Sequence, residues 1–146
     1  MLIIPAIDIE QAKVVRFTKG KYRKKIYSND PVEVALRWQR QGAKMLHIVD
    51  LEGAKTGKIK NLFCLNKILS KIDIPIEFGG GIRDIATIRS LLKKGVRRVV
   101  IGTQAKDEEF LKKIFKYFGS RIIVSIDENK GKISIEGWRK IFEDLD

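Results

Sequence analysis

The chain has 146 residues, 44% of them hydrophobic and 33% charged, which suits one globular domain with a real core and excludes a disordered polymer. With 30 Lys and Arg against 18 Asp and Glu the net charge is +12, so an anionic partner is expected: nucleic acid, a membrane surface or a phosphorylated metabolite. The single cysteine, Cys64, excludes an internal disulfide and cysteine-cluster metal sites and points to a reducing cytoplasm, while Met1-Leu2-Ile3-Ile4, broken by Pro5 and Asp8, is too short for a signal peptide or a membrane span.

Strand and helix signals alternate along the chain. Leu2 to Ile9 reads as a buried strand, and Lys13-Val14-Val15-Arg16-Phe17 as a short one before a very basic loop, Lys19 to Lys25. Asp30-Pro31 opens a helix with a capping side chain and a proline at the first position, and Gly42 stops it. Met45 to Asp50 is the second strand of the alternation, and Asn61 to Ser70 a helix carrying Leu62, Leu65, Ile68 and Leu69 at helical spacing. The third unit is the strand Ile74 to Phe78 and the helix Asp84 to Leu92, capped by Asp84 with Thr87 three residues on. The fourth is the strand Arg98 to Ile101 and a helix from about Asp107 to Tyr117. Arg121 to Ile126 is a fifth strand, followed by a turn at Asn129-Lys130-Gly131-Lys132 into an extended piece, Ile133 to Ile135.

The last units repeat with one step, 23 residues from 75 to 98 and again from 98 to 121. Strands alternating with helices at that spacing predict a parallel sheet with right-handed crossovers, and the nearly continuous apolar strands predict burial on both faces. Either an open doubly wound sheet or part of a barrel fits. Asp8-Ile9-Glu10-Gln11 stands where a dinucleotide-binding sheet carries its glycine turn, which disfavours the open sheet.

Two features bear on chemistry. Phe78-Gly79-Gly80-Gly81-Ile82-Arg83 is a strand, a glycine turn and a helix start, where backbone N–H groups, the helix dipole and the Arg83 guanidinium suit a phosphate. A tight turn that merely needs glycine explains the triplet equally well, but Ile101-Gly102-Thr103 repeats the arrangement one unit later. The second feature is a pair of aspartates. Ile4, Ala6 and Asp8 share one face of the first strand, and Ile123, Ser125 and Asp127 one face of the fifth. Carboxylates at C-terminal strand ends on opposite sides of a barrel mouth suit a general base and a general acid. Each aspartate also suits the start of a turn.

Pro5-Ala6-Ile7-Asp8, Val14-Val15-Arg16, Asn29 to Glu33, His47 to Ala54, Phe78 to Arg83, Ile101-Gly102-Thr103 and Glu136-Gly137-Trp138 together resemble the HisA family, the phosphoribosylformimino-aminoimidazole-carboxamide ribotide isomerases of histidine biosynthesis. The resemblance runs from Met1 to about Trp138. The sister cyclase of the pathway is similar, but it typically starts with an Ala-Cys-Leu-Asp type of strand, and the Pro-Ala-Ile-Asp start and the Gly137-Trp138 pair here favour the isomerase. The resemblance implies a partial TIM (β/α)8 barrel, about strands one to five with helices one to four, over residues 1–146 as a single domain without its C-terminal units. It implies an Amadori rearrangement of a bis-phosphorylated ribotide with no metal or organic cofactor. Asp8 would accept the C2 proton and Asp127 donate one that opens the ribose ring. Gly81, Arg83, Gly102 and Thr103 would hold one phosphate, Trp138 would stack on the aminoimidazole, and Asp50 would join the binding residues. His47, on the face opposite Asp50, reads as a packing residue, and Lys19 to Lys25 as a lid or electrostatic collar.

The family needs eight strand-helix units in about 240 residues, so strands six to eight and the second phosphate site are expected elsewhere. Self-association or a C-terminal half-barrel partner would supply them, each open strand edge being a place to pair. A phosphate-binding half-barrel without catalysis, or a related cyclase half, is the alternative. A nucleic-acid binder ranks last because the basic residues are scattered and carry no recognised motif.

Overall fold

The computed structural model describes residues 1–17, 24–129, 132–135 and 140–144. Seven strands form one sheet, in the order β3-β2-β1-β4-β5-β6-β7. They are β1 (Ala6–Glu10), β2 (Lys13–Phe17), β3 (Lys24–Ser28), β4 (Leu46–Asp50), β5 (Ile76–Gly79), β6 (Arg98–Ile101) and β7 (Ile122–Val124). The run β1-β4-β5-β6-β7 is parallel throughout, while β1, β2 and β3 pair antiparallel. The helices α1 (Pro31–Arg40), α2 (Leu51–Thr56), α3 (Leu62–Leu69), α4 (Ile85–Lys93) and α5 (Glu108–Phe118) connect them. A second, antiparallel sheet contains β8 (Asp127–Asn129), β9 (Lys132–Ile135) and β10 (Lys140–Asp144) in the order β10-β9-β8. Among the described residues no helix is long and apolar enough to cross a membrane.

The α/β alternation and the parallel pairing are as the sequence predicts, and the helix caps form as read. Asp30 Oδ1 accepts from Val32 N at 2.9 Å, and Asp84 Oδ1 accepts from Thr87 N at 2.7 Å. Each such cap satisfies a donor that the first helical turn leaves without a partner, which stabilises by about 1 kcal/mol. The six-residue α2 was not foreseen. Asp50 caps it and Gly57, at φ 75°, ends it.

Burial on both faces, as predicted, holds for β5 and most of β6, where Glu77, Gly79 and Val100 are buried as well; in β1 and β4 the second face is covered only in part. Ile7 and Ile9 of β1, Leu46 and Ile48 of β4, Ile76 and Phe78 of β5, Val99 and Ile101 of β6 and Ile122 of β7 lie in one core with Val34, Ala35, Leu65, Ile68, Ile88, Leu91 and Ile114 of the helices. Each large apolar side chain fully buried there contributes about 1.5–3 kcal/mol. The alternate strand residues face the other way and include Asp8, His47, Glu77 and Arg98.

The strand edges also differ from expectation. The free edge of β1 is taken by β2, with Asp8 opposite Val15 and Glu10 opposite Lys13. Gln11 and Ala12 make the two-residue turn with φ of 52° and 58°, the left-handed pair that matches strand twist in a tight hairpin. Their N–H groups donate to Glu52 Oε2 at 2.7 Å and Asn61 Oδ1 at 3.0 Å, which offsets the strain of that conformation in non-glycine residues. At the other end β7 stops at Val124, although Ser125 N still reaches Ile101 O at 2.8 Å. Asp127 therefore does not continue the fifth parallel strand. It opens β8, opposite Ser134 of β9, across the predicted turn.

Candidate active site

Asp8 stands on the open face of the sheet. Its strand neighbours Ile7 and Ile9 are locked in the core, so the backbone aims the Asp8 side chain away from the helices. Burial raises its pKa above the ordinary carboxylate value, and the charges of His47 and Arg16 pull it back down. These are the opposed influences that tune a carboxyl group for proton transfer.

Beside it runs a row of polar side chains across three strands. His47 pairs in register with Glu77, and Glu77 with Arg98. His47 Nδ1 lies 2.8 Å from Glu77 Oε1, and Arg98 Nη2 donates to Glu77 Oε2 at 2.8 Å and to Met45 Sδ at 3.0 Å. His47, read as packing, thus shares the Glu77 carboxylate with Arg98. Arg98 Nε is buried and has no partner among the described residues. The sequence did carry a signal for this row: Glu77 interrupts an apolar strand, and a buried carboxylate needs partners.

Asp50 holds the loop that follows β4. Its side chain is fully buried, with Oδ1 accepting from Gly53 N and Asn61 Nδ2 at 2.8 Å each, and Oδ2 from Lys60 N at 2.6 Å and Asn61 N at 2.7 Å. All of its acceptor capacity in the fold is directed at that loop. Asn61 itself reaches Glu52 Oε2 at 3.1 Å, so one carboxylate fixes α2, the start of α3 and, through Glu52, the β1–β2 turn. Nearby, Lys55 Nζ lies 2.5 Å from Glu10 Oε1.

The glycine triplet packs against this loop. Gly80, at φ 102°, sits so close that a Cβ would collide with Asp50 O, and a Cβ on Gly81 would stand 2.7 Å from Ile59 N. A Cβ on Gly57 would run into the Arg83 guanidinium, which therefore lies flat over that residue. Arg83 is exposed. The N-terminus of α4 already has its own anion: besides the backbone cap, Thr87 Oγ1 donates to Asp84 Oδ2 at 2.9 Å. One strand on, Gly102 is exposed with nothing within 4 Å of where a Cβ would stand, and Thr103 begins a 3-10 turn, Thr103–Lys106. Gly81, Arg83, Gly102 and Thr103 follow the adjacent strands β5 and β6 at the end of the sheet to which Asp8 also belongs. Trp138, and the basic loop up to Arg23, lie outside the described residues.

Comparison with known proteins gives this arrangement a lineage. A profile of the histidine biosynthesis protein family matches residues 2–144. Proteins from Acetivibrio thermocellus and Thermoanaerobacter pseudethanolicus, each named 1-(5-phosphoribosyl)-5-((5-phosphoribosylamino)methylideneamino) imidazole-4-carboxamide isomerase, are 44% identical over 145 residues, 98% of this chain and 61% of theirs. A protein of the same name from Alkaliphilus metalliredigens is 46% identical over 142 residues, 96% of this chain and 60% of its own. The chain spans about three-fifths of the length of the curated relatives it matches. It belongs to the histidine biosynthesis protein family.

Proposed function

We propose that the chain supplies strands one to five of a (β/α)8 isomerase barrel, β1, β4, β5, β6 and β7, and that this barrel converts a bis-phosphorylated aminoaldose ribotide into the aminoketose. The observation that carries the reading is the 44% identity over 98% of this chain to proteins named as that isomerase, with Asp8 on the face of the parallel sheet turned away from the helices. A general acid protonates the ring oxygen as its bond to C1 breaks, leaving an iminium. Asp8 then takes the C2 proton, the C–H electron pair becomes the C1–C2 double bond of an enolamine as the C=N pair returns to nitrogen, and protonation of C1 with loss of the C2 hydroxyl proton gives the ketone. Asp127 is proposed as the acid. The raised pKa of Asp8 supports its part, since a carboxylate of higher basicity takes a carbon-bound proton more readily.

One substrate phosphate would lie between the two turns, on the backbone N–H groups of Gly81, Gly102 and Thr103 and the Arg83 guanidinium. The open space at Gly102 and the exposure of Arg83 support this placement. Because Asp84 already occupies the α4 dipole, the cation and the turn amides have to supply most of the attraction. Asp50 acts indirectly, by holding the loop against which Gly80 and Gly81 pack. Trp138 is proposed to stack on the aminoimidazole.

The test uses a complete barrel in which these 146 residues form the N-terminal part. Asp8→Asn and Asp127→Asn should each lower kcat by at least about 100-fold, while Arg83→Ala should act mainly on KM. Near-normal turnover in either aspartate variant refutes the assignment. The 146-residue chain alone should show no turnover and should self-associate, because its polar face is uncovered and β7 offers a free edge among the described residues. A stable monomer in sedimentation at micromolar concentration contradicts that expectation.

A further inference from the structure

Glu77 has more partners than its burial requires. Its side chain is 10% exposed, and Arg98 alone would satisfy the cost of placing a carboxylate in an apolar strand. The second contact, to His47 Nδ1, is spent on a side chain that is 27% exposed and could have turned to water. What the contact does is fix the imidazole. With Nδ1 held at 2.8 Å by a carboxylate that Arg98 anchors from the other side, the ring cannot rotate without breaking the pair.

The ring is fixed beside Asp8. His47 is the register partner of Ala6, and Asp8 lies two residues further along the same face of β1, so the two side chains are diagonal neighbours on adjacent parallel strands. We propose that the Arg98–Glu77 pair holds His47 as the positioning residue for Asp8, a fixed imidazole whose charge keeps that carboxylate ionised and ready to accept a proton. The proposal rests on the reading of Asp8 as the base. The other charges near Asp8 are Arg16 of β2, Lys13 of β2 opposite Glu10, and, two residues on along β1, Glu10 itself, whose carboxylate is paired with Lys55 of α2. Arg16 is exposed and its field is screened by water and salt, whereas His47 is half-buried. Of these two side chains, His47 has the larger influence on Asp8.

The experiment follows Asp8 and His47 in the 146-residue chain by carboxyl-carbon and imidazole-nitrogen NMR across pH. His47→Asn should move the Asp8 midpoint upward. Coupling between two sites is reciprocal, so Asp8→Asn should move the His47 midpoint downward. A purely structural His47 would change the melting temperature and leave both midpoints where they are. If His47→Asn fails to fold, the Asp8→Asn titration decides alone. Unmoved midpoints in chains with dispersed amide spectra overturn the proposal. In the complete barrel, His47→Asn should also shift the acid limb of kcat/KM to higher pH. The base assignment fails separately: normal turnover of Asp8→Asn refutes it whether or not the two midpoints are coupled.

Discussion

Replacing Asp50 with alanine removes one carboxylate and strands four donors. Gly53 N, Lys60 N, Asn61 N and Asn61 Nδ2 all point at it from 2.6–2.8 Å, in a place where Asp50 itself has no exposed surface. An unsatisfied buried donor costs about 1–3 kcal/mol, but the four are coupled and the loop can open to admit water, so the sum is not reached. We expect a loss of about 3–5 kcal/mol, a large part of the 5–15 kcal/mol typical of a folded domain. Asp50→Asn should fall between alanine and wild type, because its amide keeps one acceptor and turns an NH2 group toward donors. Urea unfolding at one fixed protein concentration measures this, since self-association would otherwise shift the midpoint. A loss below about 1 kcal/mol for alanine, at unchanged slope, would mean that the loop does not depend on Asp50 and that the packing against Gly80 holds it.

Asp8→Asn should stabilise the chain at neutral pH. The folded state binds the Asp8 proton more tightly than the unfolded one, so the ionised form costs stability above its raised pKa, and that cost disappears as pH falls toward the ordinary carboxylate value. Melting temperatures of the two chains should therefore converge in acid, and a gap that stays constant or widens there contradicts the burial argument. Gly80→Ala should cost about 3 kcal/mol or more, because its Cβ would meet Asp50 O, whereas Gly95→Ala should cost about 1–2 kcal/mol. Gly95 has a similar φ of 107° but its nearest neighbour, Leu69 Cδ2, is 3.8 Å away, so the difference between the two variants isolates the collision from the strain. Equal losses would remove the case for close packing at Gly80.

Caps and periodic apolar faces are local, and they were legible. Asp30-Pro31 and Asp84 with Thr87 each place donor and acceptor within three residues, and each forms. What escaped depends on partners far along the chain. Glu77 is intelligible only with His47 and Arg98, 30 and 21 residues away, and Asp50 only with Asn61 eleven residues on. The glycine triplet was placed correctly as a turn, but that it nests against Asp50 O and Ile59 N could not be read from spacing. The run Arg121 to Ile126 misled for a related reason. An apolar stretch says that a strand exists, not which sheet claims the residues after it, and Asp127 went to the antiparallel one.

The two ends of the seven-stranded sheet are chemically unlike, and that has a bearing on how copies would assemble. At one end β3 carries the exposed Lys25, and a lysine on an outer strand repels a second such strand. At the other, β7 is three apolar residues long and bonded only to β6 among the described residues. Addition of β7 to the β3 of another copy would repeat head to tail into an open filament, but it sets an apolar strand against a charged one. Two β7 strands meeting about a two-fold axis consume each other's free edge, and nothing is left on which a third copy can build. Such a pair is closed by its own symmetry, so assembly by this edge has a natural stopping point at two.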